Sequence, residues 1–183
     1  MPTTPSQPSI RLGTVQDAAA MSTILSHYVE TSIVTLDTDA PSIQDFEHKI
    51  ETLQAFGAPF GVMINSQGAM MGYAYGAPYR PKKGYDSSVE LSIYLAPSHT
   101  GQGHGLTLLR WLIDACRQAG FKLAISVITV DPAIGAEAMP SGRVHRAAGF
   151  QYVGTIQSVA RKFQRYWDTA TFTLDLQPDR TQP

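Results

Sequence analysis

Gly101, Gly103 and Gly105 alternate behind an apolar stretch that ends at Ile93, Tyr94 and Leu95, and ahead of a stretch with helical spacing. Without a Cβ at these positions the backbone can approach a ligand closely. The first amides of a helix starting here would be unpaired, at the positive end of its dipole. Such a turn suits an anion, phosphate above all. A Walker A turn needs Gly, four residues and then Gly-Lys-Ser/Thr, and no lysine follows any of these. A dinucleotide fingerprint belongs to the first strand of its unit, whereas this turn lies mid-chain. What is left is a pyrophosphate on some other carrier.

The elements that must position this turn follow from periodicity. Residues 10–12 suggest a short strand. Ala20, Met21, Ile24, Leu25 and Tyr28 recur at helical spacing over residues 17–28. Ser42 can cap a second helix carrying Phe46, Ile50 and Leu53, ended near Gly57. Residues 60–64 and 70–75, around a turn at 65–68, read as a hairpin. Residues 88–95 make a strand that feeds the glycine turn, and the helix beyond it sets Leu106, Leu109, Leu112, Ile113 and Cys116 on one face. Residues 123–130 form a nearly continuous apolar run, as in a strand buried on both faces. A long loop at 131–140, a short helix at 141–148 and strands near 152–157 and 169–176 complete an α/β (mixed α+β) fold. One central mixed sheet is flanked by helices.

The chain's 183 residues suit a single domain, and 43% apolar with 16% charged residues suits a compact one. Residues 1–9 and 177–183 are polar, Pro-containing and aperiodic, so they read as tails around a folded unit at 10–176. Fourteen basic against fifteen acidic residues leave a net charge of -1, which removes the main warrant for binding nucleic acid or an anionic membrane. Cys116 is the only cysteine, so an internal disulfide and a multi-cysteine zinc site are excluded. With no apolar signal or spanning segment, the expected location is cytoplasmic.

The turn at 100–105 is similar to the acetyl-CoA pyrophosphate signature of the GNAT superfamily of N-acetyltransferases, Gln/Arg-x-x-Gly-x-Gly/Ala, with Thr100 in its first place. Further segments resemble the phosphinothricin acetyltransferase branch: His27-Tyr28-Val29, Arg80-Pro81, residues 89–95, Val144-His145, Gly149-Phe150, and Lys162-Phe163 with Trp167-Asp168. The resemblance spans residues 10–176. It implies the GNAT acyl-CoA N-acyltransferase fold, acetyl-CoA as donor, transfer to the α-amino group of a small amino acid or analogue, and a homodimer. By position it implies acceptor contacts from Arg80, Pro81, Lys82, Glu90, Leu91 and Ser92. Backbone of Ile93, Tyr94 and Leu95 would face pantetheine, and Gly101, Gln102, Gly103, His104, Gly105 and Leu106 the pyrophosphate. Ser141 and His145 match the family's short fourth helix. Ala138 stands where that family carries an Asn, the 131–140 loop is longer than usual, and Leu36 replaces an aromatic, which implies a wider acceptor pocket.

Individual residues can be given chemistry on that reading. Alternation along 88–95 puts Val89, Leu91, Ile93 and Leu95 on one face and Glu90, Ser92 and Tyr94 on the other. Amine acylation needs the ammonium deprotonated, and Glu90, just before the glycine turn, is the expected general base. His145, on the short helix, is a second candidate, either for proton transfer or for a contact to CoA. Arg80, stiffened by Pro81, can grip a carboxylate or phosphinate through two parallel hydrogen bonds. Residues 161–165 read as a solvated loop bordering the cleft or a dimer edge, and Cys116 as core, leaving direct attack without a covalent enzyme intermediate. His27, His48, His99 and His104 have no metal-ligand spacing, so no metal is expected. Rival acceptors are a polyamine, an aminoglycoside or a peptide N-terminus. The rival class is a non-catalytic CoA-binding module.

Overall fold

The computed structural model describes residues 8–177. The outer parts of the two expected tails, 1–7 and 178–183, lie outside it. Seven strands form one sheet in the order β1-β2-β3-β4-β5-β7-β6. They are β1 (Ser9–Leu12), β2 (Phe60–Ile64), β3 (Met70–Pro78), β4 (Ser88–Leu95), β5 (Leu123–Val130), β6 (Gln151–Lys162) and β7 (Arg165–Asp175). Only β4 and β5 pair in parallel; every other neighbour is antiparallel. Four α-helices cover the sheet: α1 (Ala18–Thr31), α2 (Ile43–Phe56), α3 (His104–Gln118) and α4 (Pro140–Ala147). No helix among the described residues is long and apolar enough to cross a membrane.

β4 divides two cores. Val89 and Leu91 pack with Leu108, Leu109 and Leu112 of α3, with Ile93 and Leu95 against the edge of that cluster. On the opposite face, Tyr94 packs with Tyr73, Met21 and Phe46 under α1 and α2. The alternation expected for residues 88–95 therefore holds, because a strand between two helix layers must send successive side chains into different cores. α2 begins at Ser42, whose hydroxyl accepts from Asp45 N, and stops at Gly57 in the left-handed region (φ 76°).

Several expectations need correction. α1 continues to Thr31, three residues past the expected end at Tyr28. On α3 the buried stripe includes Leu108, while Leu106 turns towards a cleft. Val127 of β5 is 43% exposed, so that strand is not covered on both faces along its whole length. The largest difference is at residues 161–165, which are solvated except for Lys162 but form a strand hairpin and not a loop. β6 and β7 run on until they meet in a tight hairpin whose two tip residues, Phe163 and Gln164, take φ of 51° and 58°. Lys162 beside that tip is buried. The irregular pairing between Ile156 and Ala160 interrupts the side-chain alternation, and the strand continues beyond the expected end near residue 157.

Candidate active site

The parallel pairing of β4 and β5 covers only residues 88–90 against 123–125. Beyond Glu90 and Ile125 the two strands part, and a cleft opens between them. The backbone orientation of β4 follows from one bond: Ala96 N donates to Met71 O at 2.8 Å, which places Ala96 in a hydrogen-bonded pair with β3. Hydrogen-bonded pairs alternate along an antiparallel ladder, so Glu90, Ser92 and Tyr94 turn their backbone groups to β3. Leu91, Ile93 and Leu95 turn theirs into the cleft. Tyr28 Oη donates to Leu95 O there at 2.7 Å.

The cleft has a volume of about 490 Å³ and is bounded by Ile93, Tyr94, Leu95, Gly101, Gly103 and Leu106 on one side and by Ser141 and Val144 on another. Gly103, at φ 84°, is the N-cap of α3, and Gly101 lies at φ 72°. A Cβ at either would meet nothing within 4 Å, so these glycines are required by backbone conformation and not by crowding. They leave the amide end of α3 open to the cleft. A second cavity of about 170 Å³ continues between the parted strands, past Leu91, Ser92, Ser126 and His145.

The expected residues do not all lie together. Ile93, Tyr94, Leu95, Gly101, Gly103, Gly105, Leu106 and Ser141 line the larger cavity, and Leu91, Ser92 and His145 the smaller. Gln102 and His104 flank the glycine turn without lining either; Gln102 Nε2 donates to Ser98 O, bracing it. Glu90 stands where the strands part, on the α1–α2 face. Arg80, Pro81 and Lys82 lie exposed on the β3–β4 connection, with the Arg80 guanidinium over the Tyr79 ring at 5.2 Å. Leu36 is half-buried on the loop after α1 and lines neither cavity. No group of three His, Cys, Asp or Glu side chains among the described residues is placed to hold a metal ion.

Electrostatics separate the titratable groups. Burial raises the Glu90 carboxyl above the usual carboxylate range, and Arg80 pulls it partly back. Burial lowers His145, opposed by its contact with Ser141 O at 2.8 Å. Because a carbonyl can only accept, that contact puts the proton of the neutral ring on Nδ1 and leaves the Nε2 lone pair available. Burial also pushes the Tyr94 hydroxyl well up, and the Cys116 thiol up to about 12, so neither ionises readily.

Two supports were missed from sequence. Lys162 Nζ donates to Ser32 O at 2.9 Å and Thr35 O at 2.8 Å, and reaches Tyr28 O at 3.4 Å. It therefore pins the C-terminal turn of α1 and the segment that carries Val34 over the cleft. His27-Tyr28-Val29 and Lys162-Phe163 had been singled out as segments, but nothing local shows that the two meet. The long 131–140 loop is likewise held in place. Arg143 Nη1 donates to Ala138 O at 2.7 Å, Arg146 pairs with Glu137, and Gly142 has no Cβ, which would otherwise lie 1.9 Å from Ala136 O.

This arrangement matches known proteins. Residues 10–171 match the acetyltransferase (GNAT) domain family. A phosphinothricin N-acetyltransferase of Streptomyces coelicolor is 31% identical over 173 residues, 91% of this chain and 95% of its own. An L-methionine sulfoximine/L-methionine sulfone acetyltransferase of Pseudomonas aeruginosa is 28% identical over 175 residues, 96% and 98% of the two chains. The crystal structure of a phosphinothricin acetyltransferase from Sinorhizobium meliloti in complex with acetyl-CoA superposes with a TM-score of 0.87 at 30% identity, covering 96% of this chain and 92% of that one.

Proposed function

The chain belongs to the GNAT acetyltransferases, and we propose that it moves an acetyl group from acetyl-CoA to the α-amino group of a small amino acid or analogue of the phosphinothricin, methionine sulfone or methionine sulfoximine type. The observation that carries this reading is the parting of β4 from β5 after Glu90, in the strand whose other end leads to the glycine turn. The cleft offers amides at the start of α3 and unpaired strand backbone at Ile93, and Glu90, which lines neither cavity, stands where the strands diverge.

Acetyl-CoA as donor supplies an activated acyl group; the remaining work falls to side chains and backbone of this chain. The amides around Gly101 and Gly103 hold phosphates. The Ile93 N–H faces the cleft, where it can polarise a carbonyl. Glu90 accepts the proton of the acceptor's ammonium. Its raised pKa brings it nearer to neutral pH, which suits a general base. His145 Nε2 is a second acceptor at the far side of the cleft. Attack is direct, since the buried Cys116 thiol sits in the core under α3.

Arg80 recognises the acceptor's carboxylate or phosphinate, with Lys82 near it. The homodimer reading is supported by β6, an edge strand with Val153, Ile156 and Val159 more than half exposed. A lone, buried cysteine fits a reducing compartment, and we place the reaction in the cytoplasm.

Release of CoA thiol from acetyl-CoA tests the assignment against amino acids, methionine sulfone, methionine sulfoximine and phosphinothricin, each beside an amine lacking the acid group. Turnover should favour the acids at least tenfold, and R80K should lower kcat/KM about tenfold for the acids alone, because lysine keeps the charge but loses the two-pronged geometry. Turnover confined to polyamines, aminoglycosides or peptide N-termini would replace the acceptor. CoA binding without thiol release would leave a binding module.

A further inference from the structure

We propose that Ser126 donates a hydrogen bond to the acyl carbonyl of the thioester donor, an inference that rests on the acetyl-transfer reading above. Ser126 is 1% exposed and its Oγ has no hydrogen-bond partner. Buried hydroxyls are almost always paired, and one left unpaired costs stability. The other such atom among the described residues, Tyr73 Oη, sits in the core between the sheet and α1–α2 and lines neither cleft cavity. Ser126 lines the smaller one. The unpaired hydroxyl thus belongs to a residue on the wall of a space that a ligand can fill.

Its place in the register says which part of a ligand. Glu90 and Ile125 are the last pair between β4 and β5, so Ser126 stands level with Leu91, one step into the opening. The glycine turn follows the opposite end of β4. A donor with its phosphates at the turn and its arm along β4 brings its reactive end to the vertex where Ser126 lies. Parallel strands in register keep equivalent side chains on the same face, so Ser126 lies with Leu91 on the α3–α4 face and Glu90 on the other. Ala124 and Ile128, its neighbours on that face, are apolar, and His145, the acceptor that lines the same cavity, makes no hydrogen bond to it. A fixed donor in a water-poor cleft, aimed at an oxygen that gains negative charge during transfer, favours the transition state. No protein group uses this hydroxyl, and the acyl oxygen is the polar atom that arrives beside it.

The test is S126A, read first by thermal unfolding. Without ligand it should melt at the wild-type temperature or above, since the change removes an unpaired hydroxyl. Wild type should gain more in melting temperature from acetyl-CoA than from CoA, and S126A should lose that difference while keeping its gain with CoA. At saturating acceptor, kcat/KM for acetyl-CoA should fall about 10-fold to 100-fold. A clearly lower melting temperature for unliganded S126A would show that the protein itself satisfies the hydroxyl, and would overturn the proposal. So would an equal loss of protection by CoA and acetyl-CoA, or unchanged kinetics. Wild-type protein stabilised by neither ligand would overturn the acetyl-transfer reading as well.

Discussion

The glycine-turn wall of the cleft is made of backbone, whereas the α1 wall facing it is held by a side chain from a hairpin about 130 residues further along the chain. At the first wall, Gly101 and Gly103 sit at positive φ in open surroundings, and the shape is set by a few neighbouring residues. At the second, the carbonyls of Tyr28, Ser32 and Thr35 converge on Lys162, and Tyr28 Oη closes on Leu95 O. The two should fail differently. A change in the first wall removes the anion site and leaves the fold; a change in the second loosens the fold and the cleft together.

The largest effect is expected at the first wall. G103V forces a β-branched residue into the left-handed region, at about 1–2 kcal/mol of strain in a place where added atoms meet nothing. Affinity for acetyl-CoA measured by calorimetry should fall at least ~100-fold while far-UV circular dichroism stays unchanged. Unaltered affinity in folded protein would move the phosphates elsewhere.

Next comes the vertex between the walls. E90Q should lower kcat about 100-fold with acetyl-CoA affinity intact. Wild-type kcat/KM should rise with pH through an ionisation above the ordinary carboxylate range, the direction burial dictates, and that limb should vanish in E90Q. Near-normal turnover by E90Q at neutral pH would remove Glu90 from the proton path.

A smaller effect should follow from K162M in the second wall. Three carbonyls lose their donor, so stability should drop by about 2–3 kcal/mol in urea unfolding. KM for acetyl-CoA should rise about tenfold with kcat nearly unchanged, and K162R should recover part of both. A stability loss with KM unmoved would make Lys162 a prop for the hairpin with no bearing on the cleft.

The smallest effect concerns His145. Its pKa is lowered by burial, so below the ordinary imidazole range the unfolded chain takes up a proton that the folded chain refuses. Stability is therefore retained above that range and lost as pH falls through it towards the folded pKa. Glu90, raised by burial, acts with the opposite sign: its contribution is present at low pH and lost as pH rises through its folded pKa. Comparing melting temperatures of wild type and H145Q between pH 5 and 7.5 isolates the histidine, and H145Q should lose the acid-side decline of a few degrees.

Much of the fold was legible because its signals are local. Ser42 and Asp45 cap α2, Gly57 ends it, and the alternation along β4 matches the two cores it separates. The hairpin tip at Phe163 and Gln164 was not legible, since neither residue advertises a left-handed turn. The short helix at 140–147 was found near its true bounds, but the packing of the 131–140 loop onto it depends on Arg143 and Gly142 meeting partners that spacing does not reveal.

The sequence by itself determined the glycine turn, the strand before it and the order of helices and strands, because each is specified by residues within a few positions of one another. Only the tertiary structure decided where β4 and β5 part, which strand backbone faces the cleft, and that Lys162 and Ser126 belong near it. Those depend on groups brought together across the chain, where burial turns an ordinary lysine into a clamp and an ordinary serine into an unpaired donor.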